Sequence, residues 1–478
     1  MKTGEKFLEV FQKAAATVPA YQNVLNKNKI NPRSVKNLDD FKKIPIIDKK
    51  NYIYANHLKD IFPRGEIPSM VYASSGSSGK PTFWFRGDEQ EASGGELHET
   101  IFNKIFKIKK DEPTLVVICF AMGVWVAGNY TLASCRWLSS RGYKITTITP
   151  GVERGDIFNA LRELAPRFEN LVLVGYPPFV MDTIHESLKK GIKFNNKKVK
   201  ILTAGDKFSE SWRDSVLKMI GASDQDSLVS IYGSADAGFL GHETSLTIFL
   251  RKEAQKNKKL YRKLFDDAKI LPGIVQYHPS HVFFEEVNGE LIFTIDTAAP
   301  LVRYDIHDTG KTISYEEIRR ALKELDLEKE AKEHGLDEWK LPMVVIKGRT
   351  DVAVTFYALN IYPEHIQAGI QNRKVAKFLS GTFSTYNKTM NKNRTQKLYI
   401  KLELAKGVKM SQDIIRVVSR SVVENLIKCN IEYRKLYHTI GPKALPIISF
   451  SSFGDKSFIS HEIKGVINIK GKKPRFIS

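Results

Sequence analysis

The sequence predicts an α/β protein, with a large N-terminal domain of mainly parallel sheets and crossover helices and a small α+β C-terminal domain. Three observations carry that expectation. Short apolar runs alternate with helical periodicity over residues 114–236. Beyond Gly348 the pattern changes to α+β. The chain has 478 residues, 42% hydrophobic and 27% charged, which is enough for two or three domains with a substantial core.

Taken in order, Thr114–Ala121 reads as a buried strand. Ile157, Phe158, Leu161 and Leu164 then mark one face of a helix that Pro166 helps to end. Leu171–Val174 is a strand, followed by a helix carrying Val180, Ile184 and Leu188. Val199–Leu202 is another, followed by a helix with Trp212, Val216 and Ile220, and Leu228–Ile231 closes the series. Such alternation indicates right-handed crossovers and a parallel sheet, whose ligands sit at the carboxyl ends of the strands. That rule places Gly175-Tyr176-Pro177, Ala204-Gly205-Asp206 and Tyr232-Gly233-Ser234 along one cleft edge.

After residue 240 the expectations are more varied. Arg251–Lys263 reads as a basic, exposed helix. Val282–Phe284 and Glu290–Thr294 flank Asn288-Gly289, a hairpin turn signal. Tyr315–Glu333 reads as a surface helix, with Ile318, Leu322 and Leu325 on one face and Gly335 as its stop. Leu398, Ile400, Leu402 and Leu404 alternate as a strand, and Ile414, Val418, Val422 and Leu426 recur at helical spacing. Residues 1–350 and 351–478 are the expected domains.

A formal charge of +21 is compatible with a nucleic-acid binder, a membrane-surface protein or an enzyme for anionic substrates. The lysines are scattered, from Lys42-Lys43 and Lys49-Lys50 to Lys472-Lys473, with no arginine-rich arm, zinc-finger spacing or aromatic RNA motif. No specific nucleic-acid partner is expected. Cys119, Cys135 and Cys429 suggest neither a disulfide framework nor a zinc site. No apolar run is long enough for a membrane span, and the lysine-bearing N-terminus has no signal-peptide core. A cytoplasmic setting is expected.

The most informative stretch is Tyr72-Ala-Ser-Ser-Gly-Ser-Ser-Gly-Lys-Pro-Thr-Phe83. Gly76 and Gly79 let the backbone turn sharply, and Ser74, Ser75, Ser77 and Ser78 supply donors beside Lys80. Such a loop suits phosphate oxygens, though it lacks Walker spacing and also reads as a flexible linker. Three clusters follow it: Tyr232-Gly-Ser-Ala-Asp236, Pro300-Leu-Val-Arg-Tyr-Asp-Ile-His-Asp308 after a strand, and Gly348-Arg-Thr-Asp351 through Pro363. Taken singly they read as a turn, a salt-bridged strand end and an interdomain linker.

Together, in this order, they resemble the adenylate-forming enzymes, specifically the phenylacetate–coenzyme A ligase family. Val18-Pro19-Ala20-Tyr21 resembles that family's opening segment, and Leu38–Pro45 the stretch after it. Ser74–Thr82 matches its Ser-Ser-Gly-Thr-Thr-Gly-Lys-Pro-Thr loop with two serines for threonines. Gly471–Ile477 is similar to its Gly-Lys-x-x-Arg ending. The resemblance implies that ATP and Mg²⁺ activate a carboxylic acid to an acyl-adenylate, with coenzyme A as the thiol cosubstrate. An acyl carrier protein or an amine is the alternative acceptor, as in the related bioluminescence-type acyl-protein synthetases. A degenerate nucleotide-binding paralogue is a further alternative, because Ala235, Asp236 and Ala358 replace a hydroxyl residue, a glutamate and a glycine of the family.

By the same resemblance, Lys80 and the loop residues Ser74 to Gly79 would hold the β- and γ-phosphates, and Asp236 the metal. Tyr232 would line the adenine slot beside Ala204, Gly205 and Asp206, with Gly233 and Ser234 in the same motif. Asp308 would bind the ribose, and Arg349 would reach the same ribose or the α-phosphate; a structural ion pair between the two is the alternative. Lys472 would bridge the acid and the α-phosphate, delivered by a mobile C-terminal domain hinged at Asp351. The acyl pocket is expected near Trp125, a turn at Gly128, Tyr176, Pro177 and Phe179, for an aromatic or hydrophobic acid. Glu243 is the second acid to consider for the metal.

Overall fold

The computed structural model describes residues 6–74, 82–194, 198–205, 208–268, 271–349, 354–357, 359–370, 372, 374–389, 396–455 and 467–469. The chain divides into two compact units, residues 1–72 with 83–351 and residues 352–478 with 73–82.

Three short strands come first: β1 (Ile47–Asp48), β2 (Met70–Ser74) and β3 (Thr82–Arg86), of which β2 and β3 pair with each other. The expected parallel series follows as β4 (Thr114–Ile118), β6 (Asn170–Gly175), β7 (Lys198–Ala204) and β8 (Leu228–Ser234), joined by β5 (Ile145–Ile148), which is not among the strands expected from the sequence. These run parallel in the order β5-β4-β6-β7-β8. Every residue of β4 and β6 is buried, because both faces of the sheet are covered. In β4, Val116 and Ile118 enter one core and Leu115 and Val117 another, as the two-residue strand period requires. Each such side chain contributes roughly 1.5–3 kcal/mol on burial. The helices Arg154–Asn159, Pro177–Lys189 and Glu210–Ile220 present Ile157, Ile184 and Val216 to the second of these cores. The last is capped by the Ser209 hydroxyl and ended by Gly221 at φ 70°.

The sheet then turns antiparallel through β9 (Gly238–His242), β10 (Gly273–Gln276), β11 (Val282–Val287), β12 (Glu290–Ile295), β13 (Leu301–Ile313) and β14 (Met343–Arg349). Its order continues β8-β9-β10-β14-β13-β12-β11, and β1 joins β13 in parallel, which makes a 12-stranded sheet. Asn288 (φ 54°) and Gly289 (φ 81°) make the expected hairpin turn between β11 and β12. The segment Pro300–Asp308 follows β12 and is itself mostly strand.

Two surface readings need correction. Arg251–Lys263 is helical but broken between Ser245–Lys256 and Lys258–Phe265, and Arg251 is buried, held by carboxylates that no local pattern reveals. The helix expected over Tyr315–Glu333 is two, Tyr315–Glu324 and Glu328–Glu333, because Asp326 takes a positive φ between them.

The smaller unit carries a hairpin, β15 (Val354–Phe356) with β16 (Leu359–Ile361), and a second sheet. That sheet contains β17 (Leu379–Thr389), β18 (Gln396–Leu404), β19 (Ile447–Ser451) and β20 (Ile467–Ile469) in the order β19-β18-β17-β20. Leu398, Ile400, Leu402 and Leu404 are buried as their alternation predicts, and so are Val418, Val422 and Leu426 of the helix Gln412–Cys429. This is the α+β character expected of the C-terminal part.

Candidate functional site

Because β6, β7 and β8 are parallel neighbours, their carboxyl ends lie side by side. Gly175-Tyr176, Ala204-Gly205 and Ser234 therefore share one edge of the larger unit. Gly205 takes φ 90°, which a side chain would resist. Gly233 lies so close to the returning β9 that a Cβ there would meet the Gly238 carbonyl oxygen at 2.5 Å. Between these strands, residues 235–237 turn out of the sheet, and Ser234 Oγ accepts from the Ala237 amide at 3.1 Å.

Two tyrosine–aspartate segments of equal spacing interlock at this edge. Tyr232 and Asp236 are four residues apart, and so are Tyr304 and Asp308 in β13. The Tyr232 hydroxyl donates to Asp308 Oδ2 at 2.6 Å, and the Tyr304 hydroxyl donates to Asp236 Oδ2 at 2.7 Å. Burial and the Asp236 charge hold the Tyr304 phenol well above its ordinary range, so it remains the donor. Hydrogen bonds to a charged acceptor contribute about 1.5–3 kcal/mol each. The end of β8 is thereby tied to β13, and Asp236 and Asp308 are both buried. The Tyr232 ring also stacks on Phe284, with centroids 6.4 Å apart.

Two cations that the sequence did not single out stand beside Asp236. Pairing of Ile47 with Tyr304 and Asp48 with Asp305 brings the next residue, Lys49, alongside β13. Its ammonium lies 3.5 Å from Asp236 Oδ1 and 5.1 Å above the Trp84 ring. In sequence it is one of many lysines, and only the strand pairing distinguishes it. The second cation is Arg86, the last residue of β3, which is 1% exposed. Its Nη1 donates to the Phe85 carbonyl at 3.0 Å and its Nη2 to the Ala235 carbonyl, the residue before Asp236. Its Nε finds no acceptor among the described residues. Arg86 and Asp236 line a small cleft with Phe62, Trp84, Phe85 and Thr297. The arrangement is one carboxylate between two cations, a polarity suited to gathering oxyanions and a metal ion.

The other expected residues are placed as follows. Ser74 ends β2, while Ser75, Gly76, Ser77, Ser78, Gly79, Lys80, Asp206, Asp351, Ala358 and Lys472 lie outside the described residues. Arg349 ends β14, where its Cα is the register partner of Asp308. Trp125 is buried just before the helix Val126–Ser140. Gly128 is inside that helix rather than in a turn, and a Cβ on it would meet Met122 Sδ at 2.5 Å. Tyr176 lies between Phe120 and Phe179, at 6.4 and 6.1 Å between ring centroids. Pro177 opens the next helix, in which Phe179 is buried beneath Arg154.

Glu243 is committed elsewhere. It accepts from Arg213 Nη2 at 2.6 Å and from the Ser230 amide at 2.9 Å inside a buried charge cluster. Among the described residues, the one group of three metal-competent side chains is Glu290, Asp305 and His307, which excludes Asp236. The free thiols of Cys119 and Cys135 are pushed up to about 12 by burial, so they are inert. No helix among the described residues is long and apolar enough to cross a membrane.

No family model matches the sequence. The chain is similar to the phenylacetate–coenzyme A ligase of Aromatoleum evansii, 22% identical over 386 residues, which is 76% of this chain and 73% of that protein. It is also similar to the phenylacetate–coenzyme A ligase of Thermus thermophilus, 21% identical over 361 residues, covering 73% and 70%. Its backbone is similar to a 2-hydroxyisobutyryl-CoA ligase solved in complex with 2-HIB-AMP and CoA. The TM-score is 0.65 at 14% identity, over 94% of this chain and 85% of that one. At such identity the likeness is one of fold: the chain has the fold of the adenylate-forming ligases.

Proposed function

We propose that this chain is an ATP-dependent acid–thiol ligase. It activates a carboxylic acid to an acyl-adenylate, releases pyrophosphate, and passes the acyl group to coenzyme A. The single observation that carries this reading is the interlocked pair Tyr232–Asp308 and Tyr304–Asp236, which sets two motif acids on one edge of the sheet. A carboxylate must attack the α-phosphate of ATP, so charge on the transferring group has to be held by oriented donors and cations.

In this reading Asp308, with Arg349 opposite it in register, binds the ribose, because a carboxylate's two oxygens suit a cis-diol. Asp236 holds Mg²⁺. One carboxylate, completed by phosphate oxygens and water, is an ordinary magnesium site, and Asp236 at the cleft fits it. The ion, when bound, neutralises phosphate charge. Ser74 through Lys80 hold the leaving pyrophosphate. Lys472 bridges acid and phosphate, Asp351 is the hinge of residues 351–478, and the acyl group rests near Trp125 and Tyr176. A carrier-protein thiol or an amine is the alternative acceptor.

One observation favours a nucleotide-binding chain without catalysis: the Lys49 ammonium, 3.5 Å from Asp236 Oδ1, already gives that carboxylate a cationic partner. Acid-dependent ATP–pyrophosphate exchange, run with Mg²⁺ over a panel of carboxylic acids, decides between the two. Exchange with at least one acid is expected. AMP binding with no exchange for any acid would leave the non-catalytic reading.

A further inference from the structure

Four arginines are buried among the described residues: Arg86, Arg213, Arg251 and Arg303. Three of them face carboxylates. Arg213 meets Glu210 at 2.7 Å and Glu243 at 2.6 Å, Arg251 meets Glu210 at 2.6 Å, and Arg303 meets Glu285 at 3.0 Å. Arg86 has no carboxylate within ion-pair distance among the described residues. Its partners among the described residues are two backbone carbonyls, and its Nε–H has none there.

A guanidinium carries five donors and one positive charge that cannot be discharged in a protein. Burying it without an anion is costly, and chains retain such a group where a ligand completes it. Its position narrows that ligand. Arg86 lines the same cleft as Asp236 and holds the carbonyl of Ala235, so whatever it binds lies against the adenylate motif. Lys49 adds a second cation, and the lone carboxylate, Asp236, already accepts from Tyr304. Glu91, on the helix that follows β3, is engaged by the Tyr72 hydroxyl at 2.8 Å. The cleft is therefore short of negative charge.

We infer that Arg86 is the receptor for an oxyanion that enters the cleft at Asp236, a carboxylate of the acid substrate or the α-phosphate of the nucleotide. Naming those two sources rests on the ligase reading. The planar fork of arginine suits both, since each offers two oxygens at bidentate spacing. Arg86 would then orient the reacting anion while keeping the Ala235–Asp236 peptide in place.

The test is calorimetric binding to the full chain, with each anion set against a neutral analogue: AMP against adenosine, and phenylacetate against phenylacetamide. Wild type is expected to prefer the anion in at least one pair by 10-fold or more. Arg86→Met, close in length but uncharged, is expected to lose that preference without a lower denaturation midpoint, because it removes an uncompensated buried charge. Arg86→Lys is expected to keep part of the preference. Loss confined to the AMP pair identifies the phosphate, and loss confined to the phenylacetate pair identifies the carboxylate. Full preference in Arg86→Met overturns the inference, as does a wild type that distinguishes neither pair. Unfolding of Arg86→Met together with an unaltered preference in Arg86→Lys overturns it too, by making the guanidinium a structural tie. The readout is binding, so failure of pyrophosphate exchange would sink the ligase reading and leave this result standing.

Discussion

Two clusters of buried charge lie in the larger unit, one around Glu210 and one around Asp236, and they are built on opposite terms. Around Glu210 the two arginines Arg213 and Arg251 meet the two acids Glu210 and Glu243, so formal charge cancels. The Leu228, Phe208 and Pro272 carbonyls accept further N–H groups, and the Phe208 ring lies 4.9 Å below the Arg213 guanidinium. The pairs join the helices Glu210–Ile220 and Ser245–Lys256 to the start of β8. Around Asp236, by contrast, Arg86 meets no carboxylate within ion-pair distance, and its Nε–H has no partner among the described residues, in a cleft. A buried network that is complete holds architecture together. One left short of an anion is where a ligand belongs.

The sharpest way to break the comparison is to unbalance the complete cluster. Glu210→Ala removes the nearer acid of Arg251, leaving it Glu243 at 3.8 Å, and one of the two acids that Arg213 meets, and should lower unfolding free energy by about 3–5 kcal/mol. Chemical denaturation reads this directly, and a loss below about 1 kcal/mol would mean the cluster is not structural. Asp236→Ala should behave in the opposite sense. Its unfolding free energy should fall by no more than the hydrogen bond from Tyr304, about 1.5–3 kcal/mol, whereas acid-dependent pyrophosphate exchange should fall on the order of 100-fold, with part recovered in Asp236→Glu. Wild-type exchange in Asp236→Ala would remove the acid from its assigned role.

A third expectation concerns buried groups that lack a partner but are not at the cleft. His98 and His242 are fully buried, each bonds one backbone carbonyl through Nδ1, and Nε2 has no partner among the described residues. Burial pushes both down to about 4. In the unfolded chain they titrate near the ordinary histidine value, so below it the unfolded state binds more protons. Stability is therefore complete above about pH 6.5 and is lost as pH falls towards 4, on the order of 1–3 kcal/mol per histidine. His98→Gln should flatten that slope in pH-dependent denaturation, and an unchanged slope would assign the loss to other groups.

Smaller effects sharpen the comparison further. Tyr304→Phe removes one hydrogen bond to Asp236 and should slow exchange about 10-fold, equivalent to about 1.4 kcal/mol. A change in denaturation midpoint alone, at normal exchange, would make Tyr304 a packing residue. The exposed pair of Lys263 and Glu324, 2.6 Å apart, should matter least. Glu324→Gln is expected to change stability by less than about 0.5 kcal/mol.

Much of this molecule is legible from local sequence. The alternation of apolar runs and helical faces determines β4, β6, β7 and β8 with their crossover helices, most firmly in β4 and β6, where burial on both faces leaves only such runs admissible. The Asn288-Gly289 turn follows from backbone sterics at two residues. The order of the motifs is also a property of the sequence alone, and it brings Tyr232, Asp236 and Asp308 into consideration. What the sequence could not decide is which charges meet. Lys49 is indistinguishable from Lys50 until β1 pairs with β13 and carries it to Asp236. Arg251 reads as solvated until a strand start and two helices converge on it. Nothing local marks Arg86 in the sequence, and Glu243 reads as a second acid for the metal. Periodicity is written between neighbours a few residues apart, whereas Arg86 reaches the carbonyl of a residue 149 positions away. Electrostatic partnership of that kind depends on distance and burial in three dimensions, and tertiary structure alone supplies both.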